Sequence, residues 1–98
     1  MQDLTAFQRD MLYVVAGLDE PYGLEIKGKM EEYYDVEVNH GRLYPNLDIL
    51  AERDLLKKGK HDERTNEYEV TEKGRRFLDQ RSAWEQQHHQ PAAPAQGD

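Results

Sequence analysis

The stretch from Asn39 to Gly59, NHGRLYPNLDILAERDLLKKG, constrains the chain most, because its apolar period changes from helical to extended within twenty residues. Asn39 has the short acceptor side chain of a helix N-cap. Beyond it, Leu43, Leu47 and Leu50 stand at i, i+4 and i+7 and draw one apolar face, which must be buried. Leu55 and Leu56 then lead into Lys57, Lys58, Gly59 and Lys60, the beginning of a strand. The face expected opposite the leucines offers His40, Arg42, Asn46 and Arg53, with Tyr44 at its edge. Hydrogen-bond donors and positive charge on one helix face suit a nucleic-acid groove. Pro45 lacks an amide proton and crowds the carbonyl four residues back. That residue is Gly41, at the helix start, so a slight kink or late start is expected, not a break.

The segments on either side supply elements to cover those leucines. Thr5 caps a first helix running to about Leu18, with Leu4, Phe7, Met11, Val14, Val15 and Leu18 at three- and four-residue steps. Asp19, Glu20 and Pro21 read as a turn. Gly23 opens a second helix to about Tyr34, where Leu24, Ile26, Met30, Tyr33 and Tyr34 alternate with Glu25, Lys27, Lys29, Glu31 and Glu32. Gly28 costs that helix about 1 kcal/mol relative to alanine, so another backbone is expected to approach there. Val36 and Val38 form an extended link to Asn39. After Lys60, the turn-rich HDERTN gives way to EYEV, where Tyr68 and Val70 alternate with glutamates, making a hairpin. Thr71 caps a last helix, with Glu72 at its positive end and Phe77, Leu78, Arg81 and Trp84 along one seam. From about Gln87 the run QHHQPAAPAQGD is polar and proline-rich, and a disordered tail is expected over 87–98, leaving one domain over 1–86. The fold expected is mostly α with a small β-hairpin. Three helices, a wing and a C-terminal dimerisation helix follow the order of a winged helix-turn-helix.

Charge first argues against an acidic polymer as partner, because the net charge is −7. Its distribution changes that argument. Residues 1–38 carry three basic and nine acidic side chains, residues 39–64 six and five, and residues 65–98 four and six, so only the middle segment escapes a negative sum. An acidic body with a near-neutral contact segment suits a cytoplasm of very high salt, and equally an ordinary acidic protein. The chain has no cysteine, which excludes disulfides, thiolate metal sites and cysteine nucleophiles. No apolar run approaches the roughly 20 residues needed to span a bilayer, and the N-terminus lacks signal-peptide regions, so a cytoplasmic protein is expected.

GRLYPNLDILAERDLLKKG followed by RTNEYEVTEKGRRFL resembles the PadR-like family of winged-helix transcriptional regulators, particularly its short archaeal members. The family's recognition-helix pattern is matched by Gly41, Arg42, Leu43, Tyr44, Pro45, Leu47, Leu50 and Glu52. Its Y-x-x-T-x-x-G is matched by Tyr68, Thr71 and Gly74. YGLEIKGKM is similar to its second helix, and the likeness covers about residues 5–80. The resemblance implies a homodimer that binds an inverted-repeat operator in double-stranded DNA and represses transcription. Many members carry a long C-terminal region of several helices for dimerisation and effector binding. Here a single helix and a tail stand in its place, which argues against a phenolic or drug effector.

The residues expected on DNA are therefore Asn39, His40, Arg42, Tyr44, Asn46, Arg53, Lys58, Lys60 and Arg64. Arginine can bridge both acceptors of guanine, asparagine can pair with adenine, and tyrosine or lysine can reach phosphate. A solvated helix face and an edge strand guarded by Lys57 and Lys58 are the plainer alternatives. Asp62 and Glu63 at the wing tip oppose phosphate, although in molar salt the Debye length is about 3 Å. Leu4, Phe7, Met11, Phe77, Leu78, Arg81 and Trp84 are expected at a two-fold interface of the first and last helices, with intrachain core as the alternative. His88 and His89 point about 100° apart on a helix and have no further ligand at metal spacing, so no metal or other cofactor is expected. Neither a nucleophile motif nor a phosphate-cradling loop is present, and no enzyme is read. The rival to DNA binding is a winged-helix module for protein interaction, which the acidic body favours.

Overall fold

The computed structural model describes residues 3–91. Its elements follow in the order α1 (Ala6–Gly17), α2 (Gly23–Tyr34), α3 (His40–Glu52), β1 (Leu56–Lys60), β2 (Asn66–Val70) and α4 (Glu72–His89). α1 and α3 each begin where a side chain can satisfy the free amides of the first turn. Thr5 accepts from the Gln8 amide while the Gln8 side chain accepts from the Thr5 amide, a reciprocal cap for α1. Asn39 Oδ1 accepts from Arg42 N at 2.8 Å and starts α3. Pro45 lies inside α3, which continues through it to Glu52.

Leu43, Leu47 and Leu50 are fully buried, as their spacing requires. They meet Phe7, Met11, Leu12 and Val15 of α1, Ile26 and Met30 of α2, Val38 of the link, Leu55, Leu56 and Tyr68 of the hairpin, and Phe77 and Leu78 of α4 in one core. Four residues expected at a two-fold seam, Phe7, Met11, Phe77 and Leu78, are thus filled into their own chain. The reason is that the first turns of α4 lie against α1, where Tyr13 Oη donates to the Leu78 carbonyl at 3.4 Å. Only Leu4, Arg81 and Trp84 of the expected seam keep accessible surface.

β1 and β2 pair antiparallel, with Leu56 opposite Val70, Lys58 opposite Tyr68 and Lys60 opposite Asn66. The hairpin is fastened to α3 and α4 at one junction. Asp54 adopts a left-handed conformation (φ 60°), and Leu55 N donates back to Leu50 O at 3.0 Å, closing α3. Thr71 Oγ1 donates to Asp54 O at 2.6 Å and accepts from Gly74 N at 3.0 Å. At Gly74 a Cβ would stand 2.3 Å from Leu55 O, so no side chain fits where α4 crosses this turn. Tyr68, Thr71 and Gly74 therefore have separate mechanical reasons: core, cap and close crossing.

Two expectations need correction. The close backbone approach expected at Gly28 does not occur, since a Cβ there would meet nothing within 4 Å; backbone comes close at Gly74 instead, and at Gly23 it is a side chain that fills the space, with a Cβ standing 2.4 Å from Tyr44 Oη. At Gln87, where a disordered tail is expected to begin, the chain is still helical. Gln87, His88 and His89 continue α4, with the His88 ring stacked at 4.3 Å on Trp84 and its Nδ1 donating to the Trp84 carbonyl at 2.8 Å. Pro91 follows the last turn. The rest of the expected tail, residues 92–98, lies outside the described residues. No helix among the described residues is long and apolar enough to cross a membrane.

Candidate nucleic-acid interface

Because the three leucines bind one side of α3 to the core, the opposite line along the helix is Gly41, Pro45, Asp48 and Glu52, all exposed. This differs from the expected basic face. Arg42 precedes Leu43 by one residue, about 100° around the helix, so it flanks the outermost line instead of lying on it. His40 and half-buried Tyr44 flank the other side, their rings edge-on at 5.6 Å. The outermost line is small at its N-terminal end, where Gly41 and Pro45 present little bulk. Arg42 and His40 stand on either side of that opening, both exposed.

Asn46 is turned toward the protein, and Arg53, though exposed, is tethered to it. Asn46 Oδ1 accepts from Gln8 Nε2 at 3.0 Å, and its Nδ2 donates to Arg42 O at 2.7 Å. With both ends of its amide engaged, Asn46 ties α3 to α1. Arg53 Nη1 donates to the Asp3 carbonyl at 2.9 Å, at the far end of α3. Neither pairing has a local sequence signal at its α3 end. Thr5 reads as a cap by residue type alone, without its reciprocal partner Gln8, which a T-x-x-Q spacing signals, and the further bond from Gln8 to Asn46 spans 38 residues.

The wing adds charge with a sidedness set by the period of two. Leu56, Lys58 and Lys60 share one face of β1, and Leu56 is buried toward α3. Lys58 Nζ reaches Asp48 Oδ1 at 3.1 Å, so the wing neutralises one acid of α3's outer line. Asp48 is a member of this surface that residue type and spacing did not single out. Lys60 and Arg64 are exposed. Lys57 belongs to the other face, beside Glu20, Glu67 and Glu69 around a recess of about 200 Å³. There the Glu20 carboxyl is raised above its ordinary range, first by a hydrogen bond shared with Glu69 and then by repulsion from Glu67 and Glu69. At the tip, Asp62 Oδ1 accepts from Arg64 N at 2.9 Å, which with the Thr65 contacts lowers the Asp62 carboxyl and shapes the turn. Between wing and helices runs an open groove of about 310 Å³, lined by Tyr22, Gly23, Leu24, His40, Tyr44, Arg64, Thr65 and Asn66. α3, the start of α2 and the wing thus surround one channel.

The Transcriptional regulator PadR-like family matches residues 11–80. The chain belongs to the PadR-like family. Among solved structures, RosR of H. salinarum, from crystals grown from NaBr, superposes on this PadR-like chain with a TM-score of 0.87 and 47% identity, over 94% of this chain and 83% of that one. The RosR complex designated S1 is 51% identical, with a TM-score of 0.80 over 84% of this chain and 72% of that one. A PadR-like transcription factor of Bacteroides fragilis shares the fold, at a TM-score of 0.68 and 23% identity over 84% of this chain and 82% of that one. No curated protein sequence matches the chain. PadR-like proteins are transcriptional regulators, not enzymes, and the winged-helix order of this member agrees with that role.

Proposed function

We propose that this PadR-like protein is a homodimeric repressor that binds an inverted-repeat DNA operator, with α3 in the major groove and the wing against the backbone beside the minor groove. The observation that carries the reading is the continuity of one surface. His40, Tyr44 and Arg64 line the groove between the helices and the wing, Asn39 and Arg42 are exposed at the same end of α3, and Lys58 and Lys60 share the inner face of β1, while the carboxylates of the wing strands are on the other side of the hairpin. Arg42 supplies the base-reading fork. His40, Lys60 and Arg64 supply phosphate contacts, and Tyr44, backed by Gly23, orients the His40 side. Asn46 and Arg53 act by holding α3 at its middle and at its C-terminal end.

A two-fold partner is supported by α4. Beyond Arg81 every described residue of the helix is exposed, and Trp84, 42% exposed, projects with the Arg81 guanidinium 4.3 Å from its ring. A large aromatic on a projecting helix is suited to burial against a second copy. Such a dimer would set two recognition helices about 34 Å apart, one turn of DNA. The likeness to RosR, a halophile's protein by its source, also supports function at high salt, where direct hydrogen bonds and shape carry more of the binding than counterion release.

The test is binding of the purified protein to the DNA upstream of its own gene, from about 0.1 M to about 3 M KCl. Selective binding that persists into molar salt, is abolished by Arg42→Ala and leaves the dimer intact is the expected result. No selective binding at any salt favours the second reading, a protein-interaction module, which the carboxylates of the outer wing face support.

A further inference from the structure

Arg42 differs from the exposed cations Lys60 and Arg64 in having its side chain held from behind by an aromatic ring. Its guanidinium carbon lies 3.8 Å from the centre of the Phe7 ring. Phe7 is 6% exposed, so the ring is a fixed platform and not a mobile neighbour. Tyr34 stacks on Phe7, ring centres 6.0 Å apart and planes within 12°. Tyr34 Oη donates to Asp10 Oδ2 at 2.5 Å. Burial, and after it that hydrogen bond, push the Tyr34 phenol up to about 12, so the brace keeps its proton through the neutral range. The main chain of Arg42 is held from the same side, since its carbonyl accepts from Asn46, which is held in turn by Gln8. α1 thus fixes both the backbone and the side chain of one residue of α3.

We infer that Phe7 is the positioning residue for Arg42, with Tyr34 and Asp10 bracing it, so that α1 sets the plane in which the recognition helix reads a base. This rests on the proposed function and names what makes its base contact selective. A guanidinium lying against a ring turns its in-plane N–H groups outward, and that edge is what matches O6 and N7 of guanine. Without the ring, a long side chain must be ordered at the moment of binding, at a cost in rotamer entropy. Lysine at this position would lack both the fork and the flat stacking surface.

The test uses a duplex selected by the full chain from a random-sequence library and a scrambled duplex of the same length. Phe7→Leu keeps the apolar volume and removes the ring; Phe7→Tyr keeps the ring. Phe7→Leu is expected to weaken binding to the selected duplex by about fivefold, the scale of one exposed cation–π contact. Binding to the scrambled duplex and the salt slope should stay as in the parent. Phe7→Tyr should retain the parent's selectivity, and Phe7→Leu should add no further loss in an Arg42→Ala background. Upfield ring-current shifts of the Arg42 δ-protons, read by NMR without DNA, should vanish in Phe7→Leu while its thermal melt shows a folded chain. Equal loss on both duplexes, or a loss additive with Arg42→Ala, overturns the positioning role and leaves the proposed function standing. Failure of the parent protein to select any duplex overturns both.

Discussion

The two faces of the wing are built from the same two strands and oppose one another in charge. On the face shared with the α3 core contact, Lys58 and Lys60 stand across from Tyr68 and Asn66. On the other, Lys57 stands among Glu20, Glu67 and Glu69, where a hydrogen bond shared with Glu69, and after it repulsion from Glu67 and Glu69, raises the Glu20 carboxyl. The strand period of two separates them, so a protein of net charge −7 can offer one surface on which carboxylates are few or already paired. Net charge therefore describes the solubility of this molecule better than its choice of partner.

The contrast depends first on the junction that aims the hairpin. Gly74→Ala would drive a Cβ into the Leu55 carbonyl, and a loss of about 3 kcal/mol in a denaturant melt is expected, with both faces disordered relative to α3. Reversing the inner face with Lys60→Glu and Arg64→Glu together should weaken DNA binding by about 100-fold near 0.15 M salt and flatten its salt slope. Lys57→Glu, one residue away but on the outer face, should change binding by less than about twofold. Filter binding across a salt series distinguishes them, and equal effects would erase the difference between the faces.

Smaller effects sharpen it. Lys58→Ala leaves Asp48 without its partner on the outer line of α3, and a loss of about fivefold in DNA affinity is expected. Asp48→Ala in the same chain should restore part of it, because the repelling charge goes too. Glu20→Gln should leave DNA affinity unchanged and raise Tm at neutral pH in low salt, an increase that fades in molar KCl as repulsion is screened. The pH dependence has a definite sign. A carboxyl whose folded-state pKa is raised binds protons more readily in the folded chain, so the parent gains stability as pH falls through that raised value. Glu20→Gln should remove that gain.

Much of the scaffold was legible because it is local. Thr5, Asn39 and Thr71 cap the helices that their side chains announce, and Leu43, Leu47 and Leu50 define the buried face of α3. The same stripe also fixes the outermost line, half a turn away, as Gly41, Pro45, Asp48 and Glu52. What composition and spacing did not reveal is pairing at long range. Asn46 has the residue type of a base reader, yet Gln8 occupies it across 38 positions. Arg53 is accessible at the C-cap of α3 and donates one guanidinium N–H to the Asp3 carbonyl. Met11 and Phe77 fit an interface stripe as well as a core stripe, and only the crossing of α4 over α1 decides between them. His88 and His89 read as tail by composition, while stacking of His88 on Trp84 carries the helix past them.

The most direct test is to follow backbone amide shifts of the isotope-labelled full chain as a selected duplex is added. Perturbations are expected to cluster at His40 to Tyr44 and at Lys58 to Arg64, while Lys57, Glu67 and Glu69 stay at their free positions. Perturbations centred on Glu20, Glu67 and Glu69, with the start of α3 unmoved, would contradict it.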